Sequence, residues 1–213
     1  MPPDAWGMAR LRLVDPPWDQ RLAHAVVRPL VATPITPNQI TTMGLAIGLL
    51  AALLYAQGSW AVHLGAACFI LSFWLDHVDG ELARMTGRAS PFGHYYDLAA
   101  GGCVLVAVFV GIGIGTSNGA LGTWSLGLGA AAGAASAAIF VLRLELQRRA
   151  GNAAVRQPSL LGFELEDLLY LLGPITWFGL LQPFLLLAGI GAPLFALFVL
   201  WECRQLLAGR PAG

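Results

Sequence analysis

From residue 40 onward the chain is a succession of apolar stretches separated by short polar breaks. A helix rises about 1.5 Å per residue, so about 20 apolar residues cross the roughly 30 Å hydrocarbon layer of a bilayer. Runs of that length with no polar face exclude most soluble architectures, because such a helix is either buried on all sides or faces lipid. Composition agrees. Apolar residues make up 57% of the chain and charged residues 11%, and mean hydropathy is +0.68; a soluble domain carries roughly 25% charged residues. Backbone groups in lipid need internal partners, which helices supply. The expected class is therefore an all-α integral membrane protein.

The hydropathy outline predicts six transmembrane helices, over 40–57, 61–84, 93–115, 120–143, 166–187 and 193–207. Thr36-Pro37-Asn38-Gln39 opens the first, with Pro and Asn as helix-start residues. Gly58-Ser59-Trp60 reads as a turn with an interfacial Trp. The Gly and Ala content of the fourth span permits close helix packing. Gly173-Pro174 predicts a kink in the fifth, and Gly189 to Pro193 predicts a turn between the fifth and the sixth.

Residues 1–37 are expected to form a cytoplasmic N-terminal segment, and 38–208 the six-helix domain. Asp15-Pro16-Pro17 can start a helix. Trp18, Leu22, Ala25 and Val26 then share one face, and Arg21, His24 and Arg28 another. That pattern predicts an amphipathic helix in the membrane interface, although a helix packed on the protein's own surface would show it too. The first thirty residues lack an apolar run of the signal-peptide type, so no cleavable signal is expected.

The net charge is zero, yet the basic residues are strongly sorted. There is no Lys, and all 12 basic residues are Arg. Four precede the first span, two lie between spans two and three, four lie at and after the end of span four, and two at and after the end of span six. The three opposite turns hold none. The positive-inside rule then places both termini on the cytoplasmic side. Cys68, Cys103 and Cys203 lack paired spacing and read as small buried hydrophobes rather than disulfides or zinc ligands. No nucleic-acid partner is expected.

The chemistry concentrates in Asp76-His-Val-Asp79-Gly80-Glu-Leu-Ala83-Arg84 and Gly93-His-Tyr-Tyr-Asp97. Asp76 and Asp79 are three residues apart and share a helix face. If spans two and three are antiparallel neighbours, Asp97 joins them at one membrane surface, the cytoplasmic one by the Arg count. Ionisable groups at such depth are costly and mark functional sites. Carboxylates that repel one another call for a hard cation such as Mg²⁺ or Mn²⁺. The bland alternative is a set of solvated charges paired with Arg84 and Arg88.

This pattern resembles the CDP-alcohol phosphotransferase family, whose motif reads D-x2-D-G-x2-A-R-x8-G-x3-D-x3-D. Asp76, Asp79, Gly80, Ala83, Arg84, Gly93 and Asp97 match in residue and spacing. The resemblance is close over residues 36–101 and elsewhere follows only the hydropathy outline. It implies an enzyme that takes a CDP-linked donor, CDP-diacylglycerol or a CDP-alcohol, passes its substituted phosphate to an alcohol acceptor and releases CMP, in phospholipid biosynthesis. Donor or acceptor would be a lipid. Asp76, Asp79 and Asp97 would bind Mg²⁺ or Mn²⁺. Asn38, Thr41, Asp79, Gly80, Ala83, Arg84 and Gly93 would form the nucleotide site. A homodimer is implied by the resemblance alone.

Gly101 stands where the family's last Asp is expected, the residue associated with metal binding and with the base. Three readings follow: a neighbour substitutes, the protein binds nucleotide without turnover, or the position has been altered. His94 lies on one helix stripe with Asp97 and Gly101 and is a candidate base. Glu164, Glu166 and Asp167 open the fifth span on the same side, and Glu166 and Asp167 are further catalytic candidates, although a helix N-terminus favours acids anyway. The small residues around Gly101 predict close packing, so that a carboxylate there would overfill the space. His77 and Tyr95 occupy free motif positions. Arg143, Arg148 and Arg149 suit a phosphorylated acceptor, but a positive-inside loop predicts them equally. A non-catalytic CDP-lipid-binding relative is the main alternative. An ion-relaying transporter is weaker, because the acids gather at one surface.

Overall fold

The computed structural model describes residues 18–150 and 169–207, and every regular element among them is a helix. These are α1 (Trp18–Leu30), α2 (Pro37–Gln57), α3 (Ala61–Thr86), α4 (Pro91–Gly115), α5 (Trp124–Ala150), α6 (Leu172–Trp177) and α7 (Leu181–Leu207). Five are long and apolar enough to cross a membrane: α2, α3, α4, α5 over Trp124–Leu146, and α7 over Leu181–Gln205.

Local chemistry sets the ends that matter. Pro37 fills the first position of α2, and the Thr36 N–H donates to Gln39 Oε1 (2.9 Å). Pro91 does the same for α4, where the Ser90 hydroxyl accepts from the Gly93 N–H (3.0 Å). α3 stops at Gly87, whose φ of +65° is left-handed and open to glycine at no steric cost. The Arg88 N–H closes the end on the Ala83 carbonyl (3.1 Å). This compact stop lets α4 begin almost at once, so the acidic end of α3 and the start of α4 stay side by side.

α2 packs closely on both α3 and α4. A Cβ at Gly111 or Gly115 would run into the backbone carbonyls of Ala52 or Tyr55, so these glycines set how near α4 comes to α2. Tyr55, Phe69, Val108, Ile112 and Leu185 are the large side chains at the centre of this core. Thr41 of α2 meets Asp79 of α3 at one end of the bundle. At the opposite, far end Tyr55 lies against Gly115.

α5 and α7 run parallel. Gln182 Oε1 accepts from the Ala120 N–H, Gly189 lies against Leu128, and the Cys203 thiol faces the Leu142 carbonyl. α5 therefore ends, and α7 ends, at the same end of the bundle. The chain must cross back between Ala150 and Leu181. The described part of that return runs down α3: Tyr170 packs on Phe73 (ring centroids 4.8 Å), Gly173 on Ile70, and Trp177 donates to the His63 carbonyl (3.3 Å).

Three sequence expectations are revised here. The turn expected at Gly189 to Pro193 lies inside continuous α7, so the boundaries 166–187 and 193–207 do not hold. In lipid a helix keeps its backbone bonds, and Pro193 removes only a local one. The expected kink at Gly173-Pro174 is a short helix with Pro174 in its first turn. α5 runs to Ala150 rather than stopping near 143, because a polar helix can continue past the membrane surface.

α1 also differs in its buried face. Ala23 and Val27 are fully buried against Leu75, Val78 and Leu82 of α3, while Leu22, Ala25 and Val26 are exposed. The helix thus docks on the protein's own surface. The Asp15-Pro16-Pro17 start lies outside the described residues.

Candidate active site

Asp76 and Asp79 leave α3 on one face, and Asp97 faces them from α4 across a cavity of about 250 Å³. Thr41 of α2 and Gly101 of α4 complete its polar rim, and Phe69, Phe73, Val104 and Phe140 line its apolar interior. Phe69 lies seven residues before Asp76, so the interior extends about 10 Å deeper into the bundle. Asp79 is 3% exposed and accepts a hydrogen bond from the Thr41 hydroxyl. Asp76 is exposed at the rim. Its carboxyl lies against that of Asp97. Asp97 Oδ1 is buried with no hydrogen-bond partner. A buried polar atom in that position demands a partner.

Among the described residues, no three His, Cys, Asp or Glu side chains already converge as metal ligands. The three aspartates share a cavity without forming a closed ligand set. Their chemistry nevertheless fits a hard divalent cation: the donors are all oxygen, and Asp97 Oδ1 lacks a partner.

The residues expected at the nucleotide gather beside this cavity. The Cβ position of Gly93 is 3.1 Å from Asn38 Oδ1, so the first turns of α2 and α4 touch there. Thr42 and Tyr96 share a hydroxyl hydrogen bond (2.9 Å) across the same seam. Gly80 and Ala83 are half-buried on α3. Arg84 is exposed and pairs with Glu81 through Nε (3.0 Å) and Nη2 (2.9 Å). Arg88 lies apart, donating from Nη1 to the Ile35 carbonyl (3.3 Å). The two arginines therefore do not pair off with the aspartates as the bland reading supposes.

Gly101 lies in the cavity wall. A Cβ there would meet only Asp76 Oδ1, at 3.9 Å. The expected crowding is absent: Ala100 and Gly101 open onto the cavity, and Ala99 and Gly102 onto a separate groove between α4 and α5. His94 is exposed, its ring 5.8 Å from that of Tyr95, and it does not line the cavity. Glu164, Glu166 and Asp167 lie outside the described residues. Arg143, Arg148 and Arg149 fall on the last turns of α5, at the acidic end of the bundle.

Sequence reasoning passed over Glu81 and His24, which meet at 2.8 Å. Glu81 has a weak local signal, an acid three residues before Arg84. His24 has none, being 57 residues away on another helix. It also passed over Thr42 and Tyr96.

Comparison with known proteins bears on this arrangement. Over 69 residues the chain is 41% identical to the archaetidylinositol phosphate synthase of Pyrococcus horikoshii, covering 32% of this chain and 35% of that protein. Over 68 residues it is 38% identical to the bifunctional IPC transferase and DIPP synthase of Rubrobacter xylanophilus, covering 32% of this chain and 15% of that protein. The chain thus spans about a third of one relative and under a sixth of the other. The family model for CDP-alcohol phosphatidyltransferase matches residues 34–202, which takes in all of α2 to α6 and most of α7. On a match of that extent, the chain belongs to the CDP-alcohol phosphatidyltransferase family.

Proposed function

We propose that this protein is an integral-membrane phosphotransferase of phospholipid biosynthesis. It takes CDP-diacylglycerol or a CDP-alcohol, passes the substituted phosphate to an alcohol acceptor, and releases CMP. The observation that carries the reading is the meeting of Asp76, Asp79, Asp97 and Thr41 around one cavity with a polar rim and an apolar interior. Such a site suits a substrate that is charged at one end and apolar at the other.

Asp76, Asp79 and Asp97 would hold Mg²⁺ or Mn²⁺, which when bound neutralises charge on the pyrophosphate. Thr41 fixes one oxygen of Asp79, so that carboxylate is set before substrate arrives. Arg84 offers its planar fork to a phosphate. Gly80 and Gly93 let the nucleotide come close to the backbone. The acceptor oxygen attacks the phosphorus that carries the alcohol or diacylglycerol, the bond from that phosphorus to the bridging oxygen breaks, and CMP leaves.

The acceptor hydroxyl must lose a proton, and Gly101 cannot take it. His94, Glu166 and Asp167 are the groups we propose for that role. Leu169, two residues after Asp167, is in the cavity wall, which supports the acids. His94 is one turn from Asp97 but does not line the cavity. A second reading is favoured by Gly101 itself: the missing carboxylate leaves open space facing Asp76, as in a protein that binds a CDP-lipid without turnover.

Release of radiolabelled CMP from CDP-diacylglycerol and from a CDP-alcohol, with and without Mg²⁺, separates the two. One relative is named for an inositol phosphate lipid, so inositol phosphate is the first acceptor to offer. Metal-dependent release is expected. A loss in His94→Gln, Glu166→Gln or Asp167→Asn identifies the base. No release from any donor, with CDP still bound, favours the binding protein.

The arginine distribution supports a cytoplasmic site and cytoplasmic termini. The exposed Leu22 and Val26 support an α1 that also lies in the membrane interface. A homodimer is part of the proposal, and crosslinking in native membranes tests it.

A further inference from the structure

Glu81 stands at a position the motif leaves free, yet it joins two separate parts of the molecule. Its Oε2 accepts from Nε and Nη2 of Arg84, at 3.0 and 2.9 Å. Its Oε1 meets Nδ1 of His24 at 2.8 Å. His24 belongs to α1, which is pinned to α3 by the buried Ala23 and Val27. The chain of contacts therefore runs from a docked helix, through one carboxylate, to the arginine of the motif.

An arginine that is 64% exposed has many rotamers to choose from, and ordering it has an entropic cost. Glu81 holds one edge of the guanidinium, with Nε and Nη2 both donating to the single oxygen Oε2. Of the five N–H donors this uses two. Both hydrogens on Nη1 remain for a ligand, and Nη1 lies 3.5 Å from the Cβ position of Gly80. The guanidinium is thus laid back over the glycine that separates Asp79 from Glu81, rather than extended into solvent.

We propose that Glu81 is a positioning residue: it holds the Arg84 guanidinium over Gly80, ready for a nucleotide phosphate, and α1 steadies it through His24. This rests on the reading of Arg84 as a phosphate ligand. The opposite relation, in which Glu81 competes with the phosphate for Arg84, would give the opposite sign in a binding experiment. An incidental surface ion pair would give almost nothing.

The test is CDP affinity, measured by calorimetry on the full chain in lipid nanodiscs, with folding followed by thermal melting. Arg84→Ala should weaken CDP binding about tenfold, Glu81→Ala about fivefold and His24→Ala about twofold, because each removes a progressively more indirect contact. The decisive arm is the double variant. If Glu81 acts through Arg84, Glu81→Ala adds no further loss in the Arg84→Ala background. Should Glu81→Ala fail to fold, the isosteric Glu81→Gln takes its place in the same comparison. An equal loss in both backgrounds shows a merely structural role and overturns the proposal, as does unchanged or tighter binding in the Glu81 single variant. If Arg84→Ala leaves CDP affinity intact, the phosphate reading of Arg84 falls and this inference falls with it.

Discussion

Two arginines four residues apart separate a specific contact from general positive charge. Arg84 lies over Gly80 beside the aspartates, while Arg88 is tied to the Ile35 carbonyl. Arg84→Ala is expected to weaken CDP binding by about tenfold, the value of one charge-assisted bond, and Arg88→Ala by much less. Calorimetric titration with CDP checks it, and equal affinities would remove Arg84 from the site. Gly101 gives a second prediction. A Cβ there meets only Asp76 Oδ1, at 3.9 Å, so a carboxylate fits beside Asp76 in the cavity that Asp79 and Asp97 also line. Gly101→Asp should fold normally and raise Mn²⁺ affinity by about an order of magnitude, because ligand charge sets the strength of such sites. Mn²⁺ titration followed by electron paramagnetic resonance reads this, and weaker binding than in the unaltered chain would contradict it. The sequence was informative where a residue's neighbour lies within the motif, as for Asp76 and Asp97. It was silent on Glu81 and His24, whose contact depends on how α1 docks. It misjudged Gly101, because small side chains suit a cavity wall and a helix contact equally well.

Helix contacts in this bundle rest on missing side chains as much as on apolar ones. Gly111 and Gly115 admit the carbonyls of Ala52 and Tyr55, and Gly48 faces Val104. Gly111→Ala should force α4 away from α2 and destabilise the fold by about 1–3 kcal/mol. A lowered melting temperature in detergent is the expected reading, while an unchanged one would mean that the helices are not so close. Gly102 has open space around its Cβ position and provides the control, since Gly102→Ala should be nearly neutral. The first three spans were legible almost to the residue: 40–57, 61–84 and 93–115 became Pro37–Gln57, Ala61–Thr86 and Pro91–Gly115. Their ends carry Pro caps and glycine stops that act locally. α7 was not legible, because Gly189, Gly191 and Pro193 signal a turn in water but are tolerated within an apolar helix in lipid.

The whole molecule brings both ends of the described chain to the acidic side. α5 and α7 run parallel, and α6, between them in the chain, lies along α3. Single cysteines placed at Gly87 and at Arg204 should therefore react with an impermeant maleimide from the same side of a sealed membrane, and one at Gly122 from the other. Reaction of the first two from opposite sides would contradict the parallel arrangement. The arginine pattern is consistent with both ends lying on one side, because charge sorting acts on every loop at once, even where individual span boundaries were wrong. Three aspartates gathered in one cavity are the proposed site of a divalent cation beside the nucleotide. Anomalous diffraction from crystals soaked in Mn²⁺ and CDP tests it most directly. A peak is expected in the cavity between Asp76, Asp79 and Asp97; no peak there at millimolar metal, or one only elsewhere, would overturn the assignment of these residues as metal ligands.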